Sequence, residues 1–179
     1  MKYSELMQQW RLRCGLPAGR DECSLDYAAG IDVDDLLHRR IADWYVSLVR
    51  KGVSGDLVDT DVSAGITVTM LPGNILSVRL PDEALLPSQL TVEKQPCRII
   101  DSEHLPRLSR LVLEAGCSPT EGLEAVYSAS GRELLVPYCR TVSTVDVMCR
   151  AYIHPPACPS PDYDYPVRMS ALATIPSVL

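Results

Sequence analysis

Phenylalanine is absent from the 179 residues, whose aromatic complement is eight Tyr and two Trp. Rings that carry a polar tip suit half-wet boundaries between subunits as well as cores. No apolar run approaches the roughly 18–20 residues that cross a bilayer, which excludes a helical membrane span. The opening MKYSELMQQW carries Glu5 and Trp10 where an export leader requires an unbroken apolar stretch, so the chain is expected to stay in the cytosol of the cell that makes it. Strong basic patches are missing too. With 17 Lys and Arg against 23 Asp and Glu the net charge is −6, and the densest cationic features are Arg11 with Arg13, Arg39 with Arg40, and Arg50 with Lys51. Pairs do not make the basic stripe that tracks a phosphate backbone.

Site chemistry is equally sparse. Seven cysteines, at 14, 23, 97, 117, 139, 149 and 158, are an odd number with no two spaced C-x-x-C. That pattern argues against zinc ribbons and dithiol motifs and for reduced, buried thiols. His38, His104 and His154 form no H-x-x-x-H spacing, so zinc has no support. The acidic stretch 56–65 lacks the glycine and the closing glutamate of a calcium loop. Neither G-x-G-x-x-G nor a Walker motif occurs, which leaves nucleotide cofactors without a cradle. YSASGR, 127–132, lacks the first glycine of a nucleophile elbow. Cys149 and His154, five apart on one expected strand, fall on opposite faces. The expectation is a protein with no catalytic, cofactor-binding or metal-binding residues, not an enzyme, and without a small-molecule substrate.

Residues 3–14 set Leu6, Met7, Trp10 and Cys14 at spacings of three and four, which predicts an amphipathic helix ending before Gly15. A connector follows, to residue 31. Residues 32–51 carry the strongest local signal: Asp32 can cap, Asp34 and Asp35 sit in the positive first turn, Arg50 and Lys51 at the negative end, and Gly52 just beyond. Leu37, Ile41, Trp44 and Leu48 make one stripe, and Leu36, Ala42, Tyr45 and Val49 widen it, so packing on two sides is expected.

From Gly55 the period becomes two. Ile66, Val68 and Met70, then Leu76, Val78 and Leu80, flank the turn residues Pro72, Gly73 and Asn74 as a hairpin. Residues 90–100 read as two short strands broken at Pro96, 124–138 as a hairpin turning at Ser130 and Gly131, and 145–155 as a last alternating strand. Between them, 102–116 has helical spacing. Residues 155–166 hold five of the 14 prolines and predict an extended connector, followed by about two turns of apolar helix before Pro176. The fold class is α+β. Residues 1–52 form a helical part and 53–158 an antiparallel β-sandwich-like part; 159–179 return to the helical part. The whole is one folding unit with a helical layer beside the sheet.

Residues 76–101, LSVRLPDEALLPSQLTVEKQPCRIID, run as strand, LP, acidic residue, apolar pair, strand, then polar residue and proline. Upstream lies a helix ending RKG; downstream lie EAVYSASGRELLVPYC, MCRAYIHPP and a Cys-Pro tail with an apolar end. Over roughly residues 32–179 this order resembles the head-to-tail connector proteins of crAss-like and related phages of Bacteroides-type bacteria. The resemblance implies a virion structural protein, a neck ring or tail adaptor of about twelve copies between portal and tail. It would assemble in the host bacterial cytoplasm and end in the virion. Its partners would be itself, the portal and other neck and tail proteins. DNA would pass an acidic lumen without sequence-specific binding, and no membrane would be involved. The two-sided apolar helix then offers interface residues at Leu36, Leu37, Ile41, Trp44, Tyr45, Leu48 and Val49, joined by Leu172 and Ile175. The competing class is a bacterial non-enzymatic β-sandwich domain that binds protein or glycan.

Overall fold

The computed structural model describes residues 1–16, 33–52, 54–101, 123–128, 132–138 and 144–176. The chain divides into two compact units: one is built from both chain ends, Met1–Val58 with His154–Leu179, and the other from the middle, Asp59–Ile153.

In the first unit the two expected helices are α1 (Tyr3–Arg13) and α2 (Val33–Arg50). The acidic first turn and basic last turn of α2 complement its macrodipole. Gly52, at φ 68°, lets the chain leave the helix while its N–H reaches the Val49 carbonyl. Leu6 and Trp10 of α1 are buried, as are Leu37, Ile41, Trp44, Tyr45, Leu48 and Val49 of α2. The tail departs from the expected apolar helix of about two turns, because Met169–Thr174 form a 3-10 helix. Pro176 disfavours helical geometry at the residue before it, and Ile175 is extended, so the short run closes in tight turns. The tail is tied to the segment that follows α2, where Leu57 bridges Val167 and the Arg168 N–H donates to the Asp56 carbonyl at 2.8 Å, and to the start of the chain, where Lys2 bridges Asp164 and the Tyr3 N–H donates to the Tyr163 carbonyl at 2.9 Å.

The second unit is one open, curled sheet, a half-barrel ordered β1-β8-β4-β5-β6-β7-β3-β2. The strands are β1 (Thr60–Asp61), β2 (Thr67–Leu71), β3 (Ile75–Arg79), β4 (Ala84–Val92), β5 (Gln95–Asp101), β6 (Glu124–Ser128), β7 (Glu133–Pro137) and β8 (Val147–Ile153). Alternate residues, among them Leu76, Val78, Leu90, Val92, Ala125, Leu134, Val136, Cys149 and Ala151, make its core.

The antiparallel sandwich is corrected on two counts. The strands form one continuous sheet, and β5 with β6 is a parallel pair, Arg98 opposite Glu124 through Asp101 opposite Tyr127. Parallel neighbours need a crossover of a dozen or more residues, and the stretch between Asp101 and Glu124 has that length. The first half of β5 pairs antiparallel with β4, so this strand joins the two halves of the sheet.

Pro96 is no break either, since it lies inside β5 opposite Thr91. The reversal falls at Glu93 and Lys94, both left-handed at φ 50° and 64°, as a tight two-residue hairpin requires. The β2–β3 hairpin forms as expected, with Gly73 and Asn74 at positive φ. The helix expected over 102–116, the turn at Ser130 and Gly131, the connector from 17 to 31, Cys23, Cys117, Cys139 and His104 lie outside the described residues.

Candidate functional site

The residues expected at a subunit interface lie inside the first unit. Leu37, Ile41, Trp44, Tyr45, Leu48, Val49 and Ile175 are buried, while Leu36 and Leu172 are half-buried. What covers the stripe of α2 comes from the two ends of the chain. The Trp10 ring meets Trp44 edge-on at 6.0 Å, Thr174 accepts a hydrogen bond from the Trp44 indole at 3.1 Å, and Tyr165 packs edge-on to Tyr45 at 5.6 Å. The Arg13 guanidinium reaches the Ile175 carbonyl at 3.4 Å. These side chains hold the unit together and leave no free apolar helix face at that position.

A polar cluster borders this core. Tyr3, Met7 and Arg11 succeed one another at intervals of four on α1, and Asp34 and His38 do the same on α2, so each set lies along one helix face. Arg11 pairs with Asp34, both largely shielded from water, and the Tyr3 hydroxyl hydrogen-bonds His38 Nδ1. Tyr3 also stacks between His38 at 5.3 Å and Tyr165 at 5.5 Å. Burial, with the Asp34 carboxylate nearby, pushes the Tyr3 phenol above its usual range, so it stays protonated at neutral pH. Burial likewise raises Tyr165. Beside the cluster lies an open recess of about 480 Å³ bounded by Ser4, Gln8, Pro159 and Pro161. Its cation and anion neutralise each other, and the histidine faces a phenol held neutral, so the arrangement works as a clasp between α1 and α2. Two facing i, i+4 polar stripes are the signal in the sequence that would have found it.

In the second unit Arg150 of β8 grips Asp59 through Nε at 3.0 Å and Nη2 at 2.9 Å, and Ser88 donates to the same carboxylate at 2.7 Å. Register shifts in β4 on either side of Pro87 accompany this contact. The stretch read against a calcium loop is used locally: Asp61 accepts the Ser63 N–H and hydroxyl, ordering the 3-10 turn Ser63–Gly65. Cys14, Cys97, Cys149 and Cys158 are free thiols, and burial pushes Cys97 and Cys149 up to about 11, which keeps them protonated at neutral pH. His154 is exposed, whereas Cys149 is buried. Among the described residues no three His, Cys, Asp or Glu side chains group as metal ligands would, and no helix is long and apolar enough to cross a membrane. No family model, no curated protein and no solved structure matches this chain.

Proposed function

We propose that the protein is a non-enzymatic structural subunit that acts by assembly, as a ring-forming head-to-tail connector of a phage particle. The observation that carries this reading is how the chain is divided: both ends combine in one helical unit while the middle makes one sheet. That is the order of parts implied by the resemblance over residues 32–179, and a layering of helical against β parts belongs to the same proposal. A ring copy must present two different surfaces to its neighbours. With the stripe of α2 buried in the subunit, contacts fall in this reading to exposed apolar side chains elsewhere: Leu12, Val58 and Met169 on the first unit and Met148 on the second. The net charge of −6 suits a lumen that lets DNA pass without holding it. Portal and tail proteins are the partners.

The test is the mass of the purified full chain, by light scattering and electron microscopy. The reading expects closed rings of about twelve copies, each of 19.7 kDa. A chain that stays at the mass of one copy at every concentration, and forms no ring, overturns it and leaves the protein- or glycan-binding domain.

A further inference from the structure

The two margins of the sheet differ. At one, β1 spans only Thr60–Asp61, and the Asp59–Arg150 ion pair lies beside it, so this margin is short and charged. At the other, β2 runs five residues, TVTML, without a charge or a proline, and no strand among the described residues pairs with its outer side. Val68 is 37% exposed and Met70 45%. They stand opposite Val78 and Leu76, which are sealed in the core, so a row of apolar side chains runs outward along one face and stops uncovered at the rim. Exposed edges are ordinarily blunted by a charge, a proline or a bulge, and β2 carries none of them.

We propose that a second copy of this chain docks here, β2 against β2, antiparallel about a twofold axis at Thr69. Thr69 then meets the partner's Thr69, Val68 meets the partner's Met70, and Thr67 meets the partner's Leu71. A twofold axis brings each strand's charges near their own copies, so a strand without charges is suited to pair with itself. The two valine–methionine pairs extend the apolar row across the seam and take four exposed side chains out of water. Continuing the sheet head to tail is the poorer alternative, because β1 offers two residues to a strand of five. Pro72 and the turn Ser63–Gly65 bound the paired strip at its ends. The inference stands apart from the connector reading: a twofold contact joins two copies, or two rings face to face, and cannot close a ring.

The experiment measures copies per particle by sedimentation of the full chain over a range of concentrations. Two double variants are compared with it, Val68→Lys with Met70→Lys and Val68→Glu with Met70→Glu. The unsubstituted chain should show a twofold rise in copies per particle with concentration. Each double variant should hold half that number, since the introduced charges face their like across the seam. An equal mixture should recover the full number, because opposite charges then meet, and only folded chains can recombine in this way. A chain that never pairs, variants that pair as well as the original, or a mixture that fails to recover would each overturn the proposal. Rings that persist with half the copies would leave the connector reading intact.

Discussion

Replacing Trp44 by alanine removes the side chain on which α1, α2 and the tail converge. The indole is 7% exposed, edge-on to Trp10 at 6.0 Å and 78°, and its N–H donates to Thr174 at 3.1 Å. Truncating a buried Trp to Ala costs about 3–5 kcal/mol. Within that range fall an aromatic pair term of about 0.5–1.5 kcal/mol and a net hydrogen bond of about 1 kcal/mol. The Thr174 hydroxyl keeps its own bond to the Ala171 carbonyl at 2.8 Å, so no buried donor is stranded. The expected loss is therefore about 4 kcal/mol, in the middle of the range. At about 2–4 °C per kcal/mol for a chain of this length, melting should fall by about 8–16 °C.

Trp44→Phe keeps most of the ring and loses the donor, so about 1–2 kcal/mol is expected. The assay is thermal unfolding followed by near-ultraviolet circular dichroism together with fluorescence. Either variant leaves Trp10 as the single tryptophan, so the emission reports the junction directly. An alanine variant melting within about 2 °C of the original would refute the packing argument. A phenylalanine variant as unstable as the alanine one would show that the hydrogen bond, and not the ring, carries the junction.

The helix α2 is legible in the sequence because its charges, its exit glycine and its stripe all point to one answer. The width of the stripe says that something covers it on more than one side. It does not say whether the cover is another copy or the chain's own ends, and Trp10, Tyr165 and Thr174 supply it from within. Neither Glu93 nor Lys94 belongs to the residues that favour left-handed geometry, so their reversal is invisible locally, while Pro96 draws the eye to the wrong place. The alternation of Ile66, Val68 and Met70 shows which side chains share a face. Only the strand order shows that β2 has no outer neighbour among the described residues. The parallel pairing of β5 with β6 is hidden for a similar reason, because period two is the same for either direction.

Three further outcomes are expected. Lys94→Gly relieves a left-handed, exposed lysine and should stabilise the sheet unit by about 1 kcal/mol in urea unfolding; a loss of stability would refute the turn assignment. Burial alone raises the Asp59 carboxyl, but hydrogen bonds from Arg150 and Ser88 and the guanidinium charge outweigh it and hold the group below its ordinary value of 3.8. A carboxyl depressed in the folded state contributes stability above that ordinary value and loses it as pH falls through the lower folded one. Asp59→Asn should therefore flatten the acid unfolding of the sheet unit below about pH 4, and an unchanged acid profile would refute a stabilising role for the Asp59–Arg150 contact. The last outcome concerns truncation before Val167. It removes Val167, Ala171 and Ile175, all buried, and the acceptor of the Trp44 indole. At about 1.5–3 kcal/mol for each buried valine or isoleucine, with about 1 kcal/mol for the hydrogen bond, the loss is about 4–7 kcal/mol. That is comparable with the whole stability of a small folded unit, about 5–15 kcal/mol. The core of the sheet draws only on residues within Asp59–Ile153 and keeps every member. The truncated chain should therefore lose its far-ultraviolet helical signal and retain a cooperative transition of the sheet. A truncated chain whose helices melt unchanged would show that the tail does not hold the first unit together.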